Sequence, residues 1–290
     1  MYLKRLLPNF SRPFSSASIV ALLSGIFMLP AHADILISPQ RVVLNDTNRQ
    51  GIISLHNPGK VTRAYSLKWV ERRLTEDGQL IFLKEGENPS SITSMVRYSP
   101  RRVVLEPGQT QTVRLDYRPP ADLKSGEYRS HLRIGMEPLP NQSNGGDINL
   151  GDQAGMSFRL EALMSFTVPV FVRHGEGAAT VKISAVEPTM IKRDGSTSEP
   201  GLIVTLTRAG EFGAYGRLVV YQQMNANSPV ELIGLTEGVS IYAELSSLKR
   251  ELLLKPGTQL PPGSWVRIAY EGEGSERGQV FAERAFQIGK

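Results

Sequence analysis

The stretch Ser157-Phe158-Arg159-Leu160-Glu161-Ala162-Leu163-Met164-Ser165-Phe166-Thr167-Val168-Pro169-Val170-Phe171-Val172-Arg173 decides the fold. Its even positions, from Phe158 and Leu160 through Ala162, Met164, Phe166 and Val168 to Val170 and Val172, are all apolar. Its odd positions include Ser157, Arg159, Glu161, Ser165 and Thr167. Successive side chains of a strand point to opposite faces, so this period of two spells a strand with one apolar face. The run is about three times the usual ~5–6 residues of a strand. One sandwich is not expected to cover so much apolar face by itself. Pro169 has no N–H to give to a ladder, which puts the strand at a sheet edge near that residue. Long apolar edges are aggregation hazards. Strand addition to a partner is a physical reason to keep one. The other reading is a bent strand shared between two sheets of its own domain.

Working outward, no long stretch shows helical periodicity. Short β-rich runs alternate with Gly, Pro, Asn and Asp turns. Before the long strand, runs fall near 35–38, 50–56, 63–72, 102–105, 110–117 and 127–136. Turn signals separate them, among them Asn57-Pro58-Gly59, Glu76-Asp77-Gly78, Glu106-Pro107-Gly108 and Lys124-Ser125-Gly126. After it, runs fall near 180–186, 202–208, 216–222, 231–235, 239–243, 250–254, 264–270 and 279–287. This spacing predicts an all-β chain of two immunoglobulin-like β-sandwich domains, 34–174 and 178–290, joined by a short Gly-containing segment. Residues 137–155 read as a long polar loop, a length that is functional or disordered inside a compact domain. Two details favour the immunoglobulin-like form over a barrel. The stretch Asp122 to Tyr128 resembles a tyrosine corner, in which a Tyr at a strand start bonds back upstream; an ordinary loop with a half-buried Tyr is the plainer reading. Trp69 is the expected core aromatic of the third strand.

The 290 residues contain no cysteine, which excludes disulfides and thiolate metal sites. Residues 1–33 read as a secretory signal: Lys4, Arg5 and Arg12 are basic, 19–29 is apolar, and Ala31-His32-Ala33 is a small-x-small cleavage signal. A transmembrane anchor is the competing reading, but the apolar run falls short of the ~20 residues a span requires. The formal charge is +5; three of those positive charges lie in the leader, and the remainder carries +2 with the two signs interspersed. No basic stripe interleaved with aromatics is present, so nucleic acid is a poor partner.

Catalytic patterns are missing. The histidines, His32, His56, His131 and His174, stand far apart, with neither H-x-H nor H-E-x-x-H spacing. His131, alternating with apolar neighbours, reads as a surface or rim histidine. There is no G-x-S-x-G elbow and no phosphate-cradling G-x-x-x-x-G-K-S/T loop. Gly175-Glu176-Gly177 and Gly272-Glu273-Gly274 place a carboxylate where a phosphate needs bare amides, and read as linker and hairpin. Neither enzymatic activity nor a metal or cofactor is expected.

Four segments in order resemble the N-terminal domain of the periplasmic chaperones of the chaperone–usher pilus pathway. Ile37-Ser38-Pro39-Gln40-Arg41-Val42-Val43 is similar to the family's first strand, which ends in an anchor arginine. The run from Tyr98-Ser99-Pro100 to Leu105-Glu106-Pro107-Gly108-Gln109 resembles its Pro-containing strand followed by L-x-P-G-x. Tyr128-Arg129-Ser130, running on to Glu137-Pro138-Leu139-Pro140, resembles its R-E-S…x-I-P segment imperfectly. The long alternating strand falls where the family keeps its donor strand. The resemblance covers roughly 35–173; 178–290 matches only as a sandwich of similar size. It implies a periplasmic chaperone that binds pilus or surface-fibre subunits with an incomplete immunoglobulin fold by donor-strand complementation and delivers them to an outer-membrane usher. The mature chain would not insert into the membrane. By residue matching, Phe158, Leu160, Ala162 and Met164 would fill the subunit groove. The subunit's C-terminal carboxylate would be held by Arg41, with Arg173 assisting, because Pro169 stands where the family has its second anchor, a lysine. The alternative is a two-module immunoglobulin-like surface adhesion or structural protein that donates no strand.

N-terminal sequencing of the exported protein is expected to begin at Asp34; an intact Met1 would exclude cleavage.

Overall fold

The computed structural model describes residues 35–139, 147–148, 158–159, 163–192, 198–225 and 227–288. The leader, Leu160 and Ala162 lie outside the described residues, as do the side chains of residues 147, 148, 158 and 159. The first half forms β1 (Leu36–Ser38), β2 (Val42–Asn45), β3 (Gln50–His56), β4 (Arg63–Leu74), β5 (Leu80–Leu83), β6 (Val96–Ser99), β7 (Arg102–Leu105), β8 (Thr110–Tyr117), β9 (Gly126–Glu137), β10 (Asp147–Ile148), β11 (Phe158–Arg159) and β12 (Ser165–His174). The second forms β13 (Ala179–Ile191), β14 (Glu199–Gly210), β15 (Ala214–Gln223), β16 (Val230–Ile241), β17 (Ser247–Leu253), β18 (Trp265–Gly272) and β19 (Val280–Gln287).

In the first lobe, β1-β3-β8-β6 is one sheet and β2-β12-β9-β4-β5, with β7 also paired to β4, is the other. Their inward faces meet in a core that includes Leu44, Ile53, Leu55, Tyr65, Leu115, Ile134, Val170 and Val172. In the second lobe, β13-β14-β17 packs on β16-β15-β18-β19 around Leu206, Leu218, Val220, Ile268 and Tyr270. The described residues form an all-β fold of two immunoglobulin-like sandwich lobes. Leu74 and Phe171 of the first lobe are buried in the second core, so the two lobes are packed together.

Local chemistry explains several boundaries. The Tyr128 hydroxyl donates to the Lys124 carbonyl at 2.8 Å, closing the tyrosine corner at the start of β9. Trp69 packs against the first core edge-on to Tyr98, at 5.2 Å between ring centroids. Between the lobes the chain turns at Gly175, whose φ of 70° suits glycine. Asp46 clamps that joint: its carboxylate accepts the Gly175 N–H at 2.7 Å and contacts His174 Nδ1 at 2.7 Å. The Gly175 bond, followed by His174, holds the Asp46 pKa below the ordinary carboxylate value.

Three features depart from the sequence reading. The 157–173 run is not one strand: β12 starts at Ser165, whereas Phe158–Arg159 pairs with Asp147–Ile148. The runs at 231–235 and 239–243 are one strand, β16, because the turn-like Glu237-Gly238 is absorbed as a bulge, with Gly238 at φ 69°. His131 is not on the rim; it is 1% exposed, and neither ring nitrogen has a hydrogen-bond partner among the described residues. It lies between Pro169 of β12 and Val70 of β4.

Burial, reinforced by the charges of Arg129 and Arg72, pushes the His131 pKa down to about 3. An unfolded His titrates near ~6.5, so between the two values the unfolded chain binds the extra proton. Stability is therefore expected to fall as pH drops from about 6.5 towards 3, by a few kcal/mol from this group. Urea denaturation across that range, repeated on His131→Leu, checks this: the variant should show a shallower decline, and an unchanged decline would clear His131.

Candidate partner-binding site

The site is built around one crossing of the chain. β1 runs antiparallel to β3 in the first sheet. The chain then crosses through Pro39, Gln40 and Arg41, and β2 joins the other sheet parallel to β12, with Val42 beside Val170 and Asn45 beside Arg173. β9 covers the opposite side of β12 from Ser165 to His174. Among the described residues, β12 from Ser165 to Val168 therefore has no strand on the side where β2 later lies.

The hydrogen-bond phase shows why a proline is tolerated there. Met136 N–H donates to the Met164 carbonyl at 2.9 Å. With the unbroken register that follows, even residues of β12 exchange bonds with β9 and odd residues direct their N–H outward. Pro169 is odd, so its missing N–H takes no bond from β9. The outward N–H groups of Ser165 and Thr167 remain on the open edge. The apolar face emerges at the same place: Val172, Val170 and Val168 are buried in the first core, Phe166 is half-buried, and Met164 is 47% exposed. Of the four residues expected to form the donor face, only Met164 has a described side chain; the Phe158 backbone pairs with Ile148.

Two grooves adjoin this edge. One, of about 410 Å³, runs between Ile35, Leu36 and Ile37 on one side and Phe166, Thr167 and Val168 on the other, ending at Gln40. The second, of about 470 Å³, begins at Pro39, Gln40 and Arg41 and is walled by Tyr215, Glu273, Ser275 and Arg277 of the second lobe. Gln40 is common to both.

Arg41 lines the second groove, next in the chain to the shared Gln40. Its guanidinium carbon is 3.6 Å from the Phe171 ring centroid and 4.5 Å from that of Tyr215, so one aromatic from each lobe holds it. It donates to Ser240 Oγ at 3.4 Å. Among the described residues no carboxylate is within ion-pair distance of it. Burial pulls its pKa below the usual arginine value, against the fields of Glu127 and Glu276. Arg173 is placed differently: it pairs with Glu127 at 2.8 Å and Glu276 at 2.6 Å and donates to the Gly213 carbonyl at 3.0 Å. Burial opposes its charge, but these two carboxylates outweigh burial and raise its pKa. Sequence reasoning did not single out Arg129, which ties the lobes from the other side, 2.7 Å from Glu244 and with its guanidinium carbon 3.7 Å from the Tyr242 ring. Its place in the Tyr128-Arg129-Ser130 segment was the available signal.

No protein-family model matches the chain, and no curated protein matches it by sequence. Solved structures similar to it include the YadV chaperone, at 12% identity over 88% of this chain and 100% of that one, with a TM-score of 0.43. The E. coli chaperone DraB is similar at 11% identity over 88% and 96%, TM-score 0.42. So is the Salmonella enterica SafA pilin in complex with the SafB chaperone, at 11% identity over 88% and 96%, TM-score 0.42.

Removing one member of a buried ion pair strands the others. Glu127 is 2% exposed and Glu276 11% exposed at their side chains. Arg173→Ala is therefore expected to destabilise the protein by about 3–5 kcal/mol. Arg267→Ala, which breaks a largely exposed pair with Glu283, should leave the urea midpoint unchanged within error. Equal midpoints for the two variants would contradict this account of the network.

Proposed function

We propose that this chain is a periplasmic chaperone that holds subunits of a pilus or surface fibre whose immunoglobulin fold lacks a strand. It lends the open edge of β12 and hands the subunit to an outer-membrane usher. The observation that carries the reading is the side of β12 before Pro169, in line with β2, that no strand covers among the described residues. Outward N–H groups at Ser165 and Thr167 and an apolar face emerging from its own core are what a strand-deficient partner requires. The ordered motif segments at 37–43, 98–109 and 128–140 support the same reading.

The slot also favours one direction for its guest. β2 is parallel to β12 and occupies the slot from Val170 onward. A partner strand in the earlier part of that slot, also parallel to β12, would end with its C-terminus pointing at Arg41. An antiparallel strand would bring its N-terminal ammonium to the same guanidinium. Like charges repel and a carboxylate pairs, so Arg41 selects the parallel arrangement and anchors the subunit's C-terminus. Phe158, Leu160, Ala162 and Met164 then fill the subunit groove. The two-residue β10–β11 ladder is a small obstacle to that use of Phe158.

The double variant Leu160→Asp, Met164→Asp is expected to lose the co-purifying subunit in a mass-spectrometric pull-down from the periplasm while unfolding at the wild-type midpoint. Normal recovery of the subunit would refute strand donation. A surface location with no subunit captured by the wild type would favour an adhesion module instead.

A further inference from the structure

We infer that Arg277, from the second lobe, is a second cation that clamps the C-terminal carboxylate of the bound strand together with Arg41 of the first; the inference rests on the strand-lending reading above. The two grooves share Gln40, and Arg41 and Arg277 both line the second, so a strand running along the first groove towards Gln40 is directed at them. The other cations near this path are committed or absent. Arg173 is held by Glu127 and Glu276. Position 169, beside Arg41 in the continued register, is a proline and carries no charge. Arg277 is exposed, and among the described residues its side chain makes no hydrogen bond or ion pair. Glu273, the carboxylate of the same wall, accepts the Gly238 N–H at 2.9 Å.

Electrostatics gives the second guanidinium a purpose. Arg41 is already desolvated, and its charge is opposed by burial. A carboxylate reaching it must also shed water, which one partner replaces only in part. Two guanidiniums approaching from opposite lobes can serve both carboxylate oxygens. The ligand then bridges the lobes, and the second lobe becomes part of the recognition surface. Arg277 lies in the Ser275-Glu276-Arg277 segment between β18 and β19, where Glu276 binds Arg173 and so fixes the base of the segment.

The test uses the mature full-length chain and an acetyl-capped, dye-labelled decapeptide of alternating threonine and valine, made as free acid and as C-terminal amide. Fluorescence anisotropy gives the acid-to-amide affinity ratio. The wild type is expected to favour the acid by about tenfold or more, as a charge-assisted pair implies. Arg277→Ala should cut that ratio to about threefold or less with the amide affinity unchanged, and Arg277→Lys should restore part of it. Arg277→Ala with a full wild-type ratio would overturn the clamp, as would an equal loss for acid and amide. Wild type that binds both peptides without preference would also overturn it while leaving strand docking intact. No binding of either peptide to the wild type would count against strand docking, and against the clamp with it.

Discussion

One slot beside β12 governs the first lobe. Its C-terminal part is filled by β2, because the chain leaves the first sheet after Ser38 and enters the second at Val42. Its N-terminal part, beside Ser165 to Val168, is left open among the described residues by the same crossing. Had β1 stayed with β12 throughout, the edge would be closed and the alternating face would end in its own core. The crossing therefore decides both how the lobe is held together and which part of the β12 edge it leaves uncovered among the described residues. Pro169 marks the division, and its lack of an N–H costs the lobe no ladder bond because that position faces away from β9.

The second constraint is the charged seam between the lobes. Arg41, Arg129 and Arg173 come from the first lobe, and Glu244, Glu276, Tyr215 and Tyr242 from the second. Each guanidinium is held by an aromatic ring, a carboxylate or both. Arg173 and Arg129 are paired with carboxylates, whereas Arg41 is held mainly by rings. Rings stabilise a cation without consuming its in-plane hydrogen bonds, so Arg41 keeps donors for an incoming oxygen. That difference between Arg41 and Arg173 could not be read from spacing, since both are simply arginines flanking apolar runs.

Much of the fold was legible because the forces that set it are local or periodic. Strands β3, β7 and β8 lie where alternation and turn residues put them, and the tyrosine corner at Tyr128 closes as its residues suggested. β2 and β5 were hidden: Val42–Asn45 is only four residues long, and Leu80-Ile81-Phe82-Leu83 has no alternation. The long run at 157–173 keeps its periodicity from Met164 to Val172, within the described side chains, but the strand begins only at Ser165, because period alone says which face a residue takes and not where the ladder begins. His131 misled for a related reason. Its place in a strand was clear, but the cover that leaves it 1% exposed is a tertiary fact. At the candidate site, Arg41 was visible through its motif, while the second groove, which Arg277 also lines, depends on two lobes coming together.

The central claim is that the open edge of β12 is the surface lent to a partner. Site-resolved amide hydrogen exchange, measured on the free protein and on its complex with the co-purified subunit, tests it most directly. In the free protein the outward amides of Ser165 and Thr167 should exchange quickly while those of Phe166 and Val168, bonded to β9, are protected. In the complex, Ser165 and Thr167 should become protected to the level of their neighbours. Protection that appears elsewhere, with these two amides still exchanging freely in the complex, would contradict the account.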